Sequence, residues 1–274
     1  MLEFKPLGVA PPDIQDYADL FKAVFNEPEV LSTRFLDWLY AKNPVGSAFG
    51  LNAWSDGELA AHYAAIPVVY LINGKKTKGL LALNTATHPK HQGKGIFTKI
   101  GNAANELAAS RGYEFVSGVA NQNSTDGYLR KLGFYLISPL EAKVGIGSVR
   151  TETADASLKP YWDQAAFDWR LSNPNGRYSR HADQVLADTG RFGIKAVLSL
   201  NTEKLDPGNI EKSATPLRLW IGLNPGIKLK GIFMDVPQRF KTSPLNLIFK
   251  DLTGKLPRFD KSEVVFELLE FDVY

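Results

Sequence analysis

HPKHQGKGIF (residues 88–97) is the stretch that decides the fold, because it joins an apolar, strand-like run to a run with helical periodicity. The strand-like run covers residues 80–87, and the helical run begins at Ile96. A glycine-rich turn in this place leaves backbone N–H groups unpaired at the start of a helix, where they can bind a pyrophosphate. The stretch therefore predicts a phosphate-bearing cofactor, although two glycines around Lys94 also fit a plain strand-to-helix turn.

The residues after this turn continue as alternating helix and strand. Apolar residues recur at helical spacing from Ile96 to Leu107, and Arg111-Gly112 supplies a basic last turn followed by a glycine stop. A buried strand is expected at 113–119 and a short helix at 128–134, with polar turn residues between them. The segment thus predicts a strand, a glycine loop, a helix, a second strand and a short helix.

Two motifs in this segment resemble those of a known family. Gln92-Gly93-Lys94-Gly95 resembles the Gln/Arg-x-x-Gly-x-Gly/Ala pyrophosphate loop of the GNAT superfamily of acyl-CoA-dependent N-acyltransferases, and Lys131-Leu132-Gly133-Phe134 resembles the usual ending of its domain. Phe97 replaces the last small residue of the loop, but the N–H groups of residues 93–97 remain available. The resemblance implies an α/β (α+β) fold with a mixed, mainly antiparallel sheet flanked by helices.

The resemblance also implies acyl-CoA as co-substrate and indicates which residues bind it. In this family the strand before the loop pairs with the pantetheine arm, and a polar residue in the turn after the next strand often contacts the cofactor. The implied cofactor-binding residues are Ala86, Thr87, Gln92, Gly93, Lys94, Gly95, Ile96, Phe97 and Asn123.

The catalytic groups are less plainly encoded. An amine attacks a thioester only when it is unprotonated, so the site must remove a proton and stabilise the departing thiolate. Many GNAT enzymes place a glutamate on the strand before the loop, yet residues 80–87 contain no carboxylate and Asn84 is the polar candidate there. His62 is the expected base because imidazole titrates near neutral pH, and a histidine bonded inside the sheet is the alternative.

The family's usual general acid is a tyrosine, which in this chain is displaced by one residue to Tyr128. A shift of one residue rotates a helical side chain by about 100°. Direct release of the thiolate, or its protonation through water, therefore stays open. The candidate catalytic residues are His62, Asn84 and Tyr128.

A faint internal repeat suggests two halves, with chance recurrence as the alternative. FLDWLYAKNPVG (35–46) is echoed by FDWRLSNPNG (167–176), at an offset close to half the chain. We predict a GNAT acyl-CoA-binding domain at residues 1–150 and a degenerate GNAT-like partner domain at 151–274, with a polar boundary at 150–159. The second half has no counterpart of the Gln92-Gly93-Lys94-Gly95 loop, so no second cofactor site is expected.

Periodicity predicts the remaining elements. In the first half, helices are expected at 14–26 and 34–40 and strands at 49–54, 59–66 and 68–72. In the second half, the expected elements are a weak helix at 183–187, strands at 193–200, 217–222, 231–236 and 264–273, and a helix or strand at 245–252.

Composition excludes several classes of function. The chain contains no cysteine and four scattered histidines, so we expect no disulfide, no cysteine nucleophile and no metal. A net charge of +3 without a basic cluster interleaved with aromatic residues predicts no nucleic-acid partner. No leader and no run of about 18–20 apolar residues are present, so we expect a cytoplasmic protein without membrane association. The oligomeric state is not indicated.

The acceptor is suggested by architecture alone. Two fused GNAT-like halves resemble enzymes that acylate nucleotide-linked amino sugars for surface polysaccharides such as O-antigen. A cleft between the halves would hold such a substrate, with Tyr63, Trp162 and Arg239 as candidate contacts. Two alternatives remain open: a transferase that adds amino acids from aminoacyl-tRNA to peptidoglycan precursors, which does not need coenzyme A, and a non-catalytic acyl-CoA-binding module.

Overall fold

The computed structural model describes residues 2–25, 28–152, 155–182, 184–199, 205–237, 240 and 243–271. The elements of the first half are β1 (Leu2–Pro6), α1 (Pro11–Val24), α2 (Thr33–Ala41), β2 (Phe49–Ser55), β3 (Glu58–Ile72), β4 (Lys75–Thr87), α3 (Ile96–Ser110), β5 (Phe115–Ala120), α4 (Gln122–Lys131) and β6 (Tyr135–Pro139). Those that follow are β7 (Glu141–Thr151), β8 (Leu158–Pro160), α5 (Gln164–Leu171), β9 (Tyr178–His181), β10 (Gln184–Asp188), β11 (Lys195–Ser199), β12 (Leu217–Leu223), β13 (Ile227–Asp235), β14 (Asn246–Asp251), β15 (Phe266–Glu267) and α6 (Leu268–Phe271).

The first sheet has the strand order β1-β2-β3-β4-β5-β14-β6, and β8 pairs with the end of β3. Its neighbouring strands are antiparallel except for the parallel pair β4 and β5. β3 is buried on both faces: Ala61, Tyr63 and Ala65 pack toward α3 and α4, while Ala64 and Ile66 pack toward α1 and α2. The predicted mixed, mainly antiparallel sheet with flanking helices is therefore confirmed.

The second sheet has the order β13-β7-β12-β11-β10-β9, and β15 pairs with β12. α5 and α6 pack on it around a separate apolar cluster that includes Phe167, Val185 and Leu268. The molecule thus contains two sheet bodies, which agrees with a two-part arrangement.

β14 lies in the first sheet although it comes from the second half of the chain. Asn246–Asp251 pairs antiparallel with β5 on one side and with β6 on the other. Conversely, β7 belongs to the second sheet although it begins at Glu141. The predicted boundary at residue 150 stays a prediction, and the two sheets do not follow it.

Most predicted elements form, and four expectations are wrong in detail. Helix α4 begins at Gln122, within the expected polar turn, and ends at Lys131 rather than at 134. β3 continues through Pro67, which was expected to separate two strands, and the Pro67 carbonyl accepts a hydrogen bond from Asn43 Nδ2 (3.0 Å). The expected helix at 183–187 is strand β10, because its apolar residues are buried between two neighbouring strands. The expected strand at 264–273 consists of the short β15 followed by α6.

The two copies of the repeat fold alike and lie against each other. The rings of Trp38 and Trp169 stack with centroids 4.9 Å apart. Trp38 Nε1–H donates to the Trp169 carbonyl (2.9 Å), and Trp169 Nε1–H donates to the Trp38 carbonyl (3.0 Å). In the turn after each helix, Asn43 or Asn173 accepts a hydrogen bond from the N–H two residues later. Each tryptophan side chain therefore makes the same hydrogen bond with the backbone of the other copy.

Candidate active site

β4 separates from β5 after Ala82. The two strands pair only over Gly79–Ala82, opposite Phe115–Gly118. Beyond this point β4 keeps β3 on one side, and within the described ranges no strand pairs with its other side, while β5 continues alongside β14. Residues 83–87 therefore present an open edge whose backbone groups can pair with an extended ligand.

A bulge lies in β4 at the start of this open edge. Ala64 pairs with Leu83 and His62 with Ala86, so β4 carries one more residue than β3 between these two pairs. Asn84 adopts the left-handed conformation with φ 50°, which asparagine tolerates better than most residues other than glycine. Bulges of this kind bend the strand and re-aim its backbone and side chains.

The two faces of the sheet carry different polar groups at the bulge. Asn84 Nδ2 donates to Tyr40 Oη on α2 (3.2 Å). The Thr85 hydroxyl forms a hydrogen bond of 3.0 Å with the hydroxyl of Tyr128 on α4, on the opposite face. The open edge of β4 is thus flanked by Asn84 on one face and by Thr85 and Tyr128 on the other.

The glycine loop between β4 and α3 has the backbone conformation that a phosphate site requires. Gly93 and Gly95 have φ of 73° and 71°, and a Cβ at either position would meet no atom within 4 Å. The N–H groups of residues 93–98 form no hydrogen bond with the described part of the chain. Gln92 Nε2 donates to the Thr87 carbonyl (3.1 Å) and Lys94 Nζ to the Lys90 carbonyl (3.0 Å), which fixes the loop.

The start of α4 differs from the start of α3. Asn121 Oδ1 accepts from the N–H groups of Asn123 and Ser124, and Ser243 Oγ accepts from the N–H of Gln122. α4 therefore has its first donors satisfied, whereas the first N–H groups of α3 form no hydrogen bond with the described residues. The Asn123 side chain is exposed, and it lies at the same end of the sheet as the glycine loop because β4 and β5 are parallel.

His62 lies inside the protein rather than at the open edge. Its side chain is 0% exposed, and its ring packs 4.3 Å from that of Tyr17. Nδ1 bonds with Asn52 Oδ1 (2.7 Å) and Nε2 with Tyr40 Oη (3.1 Å). Burial lowers the pKa of His62 to about 3. The ring is therefore neutral and both nitrogens are occupied, which argues against its predicted role as general base.

Tyr128 faces the sheet despite its displaced position in the sequence. Burial raises the pKa of Tyr128 to about 12, although hydrogen bonds with Thr85 and Tyr63 partly oppose this. The phenol thus keeps its proton at neutral pH, as a general acid requires. Tyr63 is buried below it, with its hydroxyl 3.5 Å from Asn105 Oδ1. The structure therefore places Tyr63 behind Tyr128, and its contact with substrate stays a prediction.

Trp162 lies at the far end of β3, in the contact between the halves. The neighbouring Tyr161 N–H donates to the Val69 carbonyl, which is about 23 Å along the strand from His62 at 3.3 Å per residue. Trp162 Nε1–H donates to Glu270 Oε1 (3.0 Å). Arg239, the remaining predicted contact, lies outside the described residues.

Glu270 should make stability depend on pH. Burial, with Glu267 nearby, raises the pKa of its carboxyl to about 8. The folded state therefore holds this proton more tightly than the unfolded chain does. The resulting stability is complete below about pH 4.5 and is lost as pH rises through 8. We expect the thermal midpoint to decrease as the pH is raised from 5 to 8, and this decrease to be much smaller in Glu270→Gln. Glu106→Gln, an exposed control on α3, should retain it.

Two further findings concern the described residues. No group of three or more His, Cys, Asp and Glu side chains among them is arranged to hold a metal ion. No helix in this part of the chain is both long enough and apolar enough to cross a membrane.

Comparison with known proteins relates these features to a family. Residues 8–137 match the model of the acetyltransferase (GNAT) domain. This range contains the bulge of β4, the glycine loop and α4, but not β14. No curated protein matches the chain.

Several solved structures share the fold. A probable N-acyltransferase from Enterococcus faecalis has a TM-score of 0.59 at 10% identity, covering 92% of this chain and 73% of that one. A GCN5-related N-acetyltransferase from Kribbella flavida has a TM-score of 0.60 at 10% identity, covering 92% and 72%. Eis1 from Mycobacterium abscessus has a TM-score of 0.53 at 13% identity, covering 93% and 74%. At these identities the similarity concerns the fold. Residues 8–137 thus carry the match to the GNAT acetyltransferase domain, and the protein is an acyltransferase.

Proposed function

We propose that this protein is an N-acyltransferase that uses acyl-CoA and acylates the amine of an amino sugar, a nucleotide-linked one, in surface polysaccharide synthesis. The observation that carries the use of acyl-CoA is the set of free N–H groups at residues 93–98, in a loop whose two glycines leave open space in front of the backbone. Such donors at a helix N-terminus favour a pyrophosphate.

The open edge of β4 supports the same proposal. It begins at the bulge and leads toward the glycine loop, so an extended pantetheine arm could pair with residues 83–87 while the pyrophosphate binds the loop. Acyl-CoA supplies a thioester, whose carbonyl carbon forms the new bond to nitrogen while the thiolate leaves. Tyr128 is a protonated phenol beside this edge, suited to hydrogen-bond with the leaving group.

The acceptor part of the proposal has a different basis. It rests on the resemblance of two fused halves to amino-sugar acyltransferases, and the repeat with its reciprocal Trp38–Trp169 contact fits such a duplication. Trp162 hydrogen-bonds with Glu270 at the far end of β3, so we do not assign it to the acceptor. Asn84 is a side chain beside the bulge that can hydrogen-bond with an acceptor amine.

One observation favours a second candidate, a non-catalytic acyl-CoA-binding module. None of the three predicted catalytic side chains is a base that titrates near neutral pH: burial lowers the pKa of His62 to about 3 and raises that of Tyr128 to about 12, and the Asn84 amide does not ionise. A module of this kind would bind coenzyme A without transferring the acyl group.

The decisive experiment follows thiol release from acetyl-CoA and longer acyl-CoAs with a panel of free and nucleotide-linked amino sugars. Mass spectrometry then identifies the acylated product. N-acylation of a nucleotide-linked amino sugar supports the full proposal, and acylation of a different amine removes the acceptor part. Binding of coenzyme A by calorimetry without transfer to any amine supports the binding module.

The pH dependence of the reaction should follow the acceptor rather than the enzyme. Because no predicted catalytic residue titrates near neutrality, kcat/KM should rise with pH until the acceptor amine is deprotonated. Two acceptors whose amines differ in pKa should therefore give profiles displaced by that difference. An inflection near neutral pH that is the same for both acceptors would instead reveal an enzymic base.

A further inference from the structure

A chain of five hydrogen bonds, buried in its middle and part-buried at both ends, connects the bulge of β4 with the segment before α1. It passes from strand to helix twice, and each link lies between 2.7 and 3.2 Å. Its members, in order, are Asn84, Tyr40, His62, Asn52, Tyr17 and the carbonyl of Gly8.

The direction of every link follows from the Gly8 end. The Gly8 carbonyl only accepts, so Tyr17 donates its one hydrogen there, and its oxygen accepts from Asn52 Nδ2. Asn52 Oδ1 then faces His62 Nδ1, which must carry a proton. Because the imidazole is neutral, Nε2 is bare and accepts from the Tyr40 hydroxyl. The Tyr40 oxygen is left to accept from Asn84 Nδ2.

This order makes Tyr40 a fixed acceptor at the bulge. The side chain of Tyr40 is fully buried, and burial raises the pKa of its hydroxyl above the ordinary range. Tyr40 therefore stays protonated and donates its hydrogen bond to His62 Nε2. With Nδ2 of Asn84 bound to Tyr40, the amide has one orientation, and Oδ1 remains as its acceptor. That side chain belongs to the residue whose φ of 50° shapes the bulge. Rotation of the amide would break the link and remove its support from the left-handed backbone.

We propose that Tyr40, oriented by His62, is a positioning residue for acyl transfer, because it holds the Asn84 amide and the bulged backbone at the open edge of β4. This inference rests on the proposed function. It also gives His62 a role that its buried site permits: the ring orients Tyr40 and transfers no proton to or from substrate.

The first test compares two single-atom deletions, Tyr40→Phe and Tyr70→Phe. Tyr70, on β3, is a matched control because it is buried like Tyr40 and its hydroxyl bonds with Ser117 Oγ (3.0 Å), away from the bulge. We expect Tyr40→Phe to lower kcat about tenfold or more, since small misplacements at a reacting centre have large effects. The affinity for coenzyme A should change much less than kcat, because the N–H groups of residues 93–98 that are proposed to bind its pyrophosphate are untouched. Tyr70→Phe should keep the wild-type kcat.

A double-mutant cycle tests whether Tyr40 acts through Asn84. Asn84→Gly removes the amide while leaving a residue that adopts positive φ readily. In this background Tyr40→Phe should cause no further loss of kcat, because the link is already absent. Losses that multiply in the double variant, or a Tyr40→Phe enzyme as active as Tyr70→Phe, would overturn the inference.

Hydrogen exchange provides a readout that does not need activity. Mass spectrometry of peptides covering residues 83–87 should show faster amide exchange in Tyr40→Phe than in wild type or Tyr70→Phe. Equal exchange in all three proteins would overturn the positioning role even if the wild type transfers no acyl group. Conversely, if Tyr40→Phe exchanges faster than wild type but the wild type transfers no acyl group, the hydrogen-bonded support of the bulge is retained and the proposed function is rejected.

Discussion

A fragment that ends at residue 150 should fail to fold, although it contains the whole range that matches the acetyltransferase domain. It would lack β14, which pairs with β5 on one side and β6 on the other. Without this strand the first sheet splits, and Phe115 loses the buried ring of Phe249 stacked 5.1 Å from it. We expect no cooperative thermal transition by circular dichroism. A fragment that melts cooperatively would show that β14 is dispensable.

The same dependence can be tested in the full chain. Phe249→Ala removes a fully buried ring that also packs against Phe259. A truncation of this size in a core costs about 3–5 kcal/mol, which should lower the thermal midpoint by roughly 10 °C or more. Phe192→Ala is the control, because Phe192 is 91% exposed. Equal midpoints for the two variants would contradict the role assigned to β14.

The second large effect is expected at the glycine loop. Gly95→Val places a β-branched side chain where φ is 71°, which costs about 1–2 kcal/mol of backbone strain. Its side chain would also fill the open space in front of the free N–H groups, where the pyrophosphate of coenzyme A is proposed to bind. We expect the affinity for coenzyme A, measured by calorimetry, to fall at least about tenfold.

Gly190 provides a control matched in conformation. It lies in the turn between β10 and β11, with φ 68°, and a Cβ there would also meet no atom within 4 Å. Gly190→Val should therefore lose similar stability but keep its affinity for coenzyme A. If both variants bound coenzyme A as the wild type does, the loop would have no part in binding.

The glycine loop could be predicted from sequence because its structure is local. Gly93 and Gly95 are needed for their own backbone angles, and the apolar spacing after Ile96 defines the helix that leaves the donors free. The strands and helices around the loop follow from the same short-range patterns. The candidate phosphate site and, through the family resemblance, the fold class were therefore readable from residues 80–134.

The state of His62 could not be predicted in this way. Burial lowers its pKa, and the residues that surround it come from elsewhere in the chain: Tyr17 and Tyr40 from two helices and Asn52 from the neighbouring strand. The local signal was Asn52, a polar residue in the largely apolar run of β2. The sequence does not indicate which side chain Asn52 hydrogen-bonds with. The bulge at Asn84 was equally hidden, because it is a mismatch in pairing between two strands.

The position of β14 was unreadable for a further reason. Its apolar residues fit a helix or a strand, and its place in the first sheet is determined by contacts with β5 and β6. No pattern within residues 246–251 records which of the two sheets it joins.

The position of β14 in the chain also determines when the first sheet can be completed during synthesis. On the ribosome, β5 emerges about 125 residues before β14 (Ala120 to Asn246), an interval of roughly 6–25 s at common rates of synthesis. Throughout this time the edge of β5 is apolar and unpaired, which makes the nascent chain prone to aggregation and a client for chaperones. The sheet that contains the glycine loop is thus completed only after about 125 further residues have been synthesised.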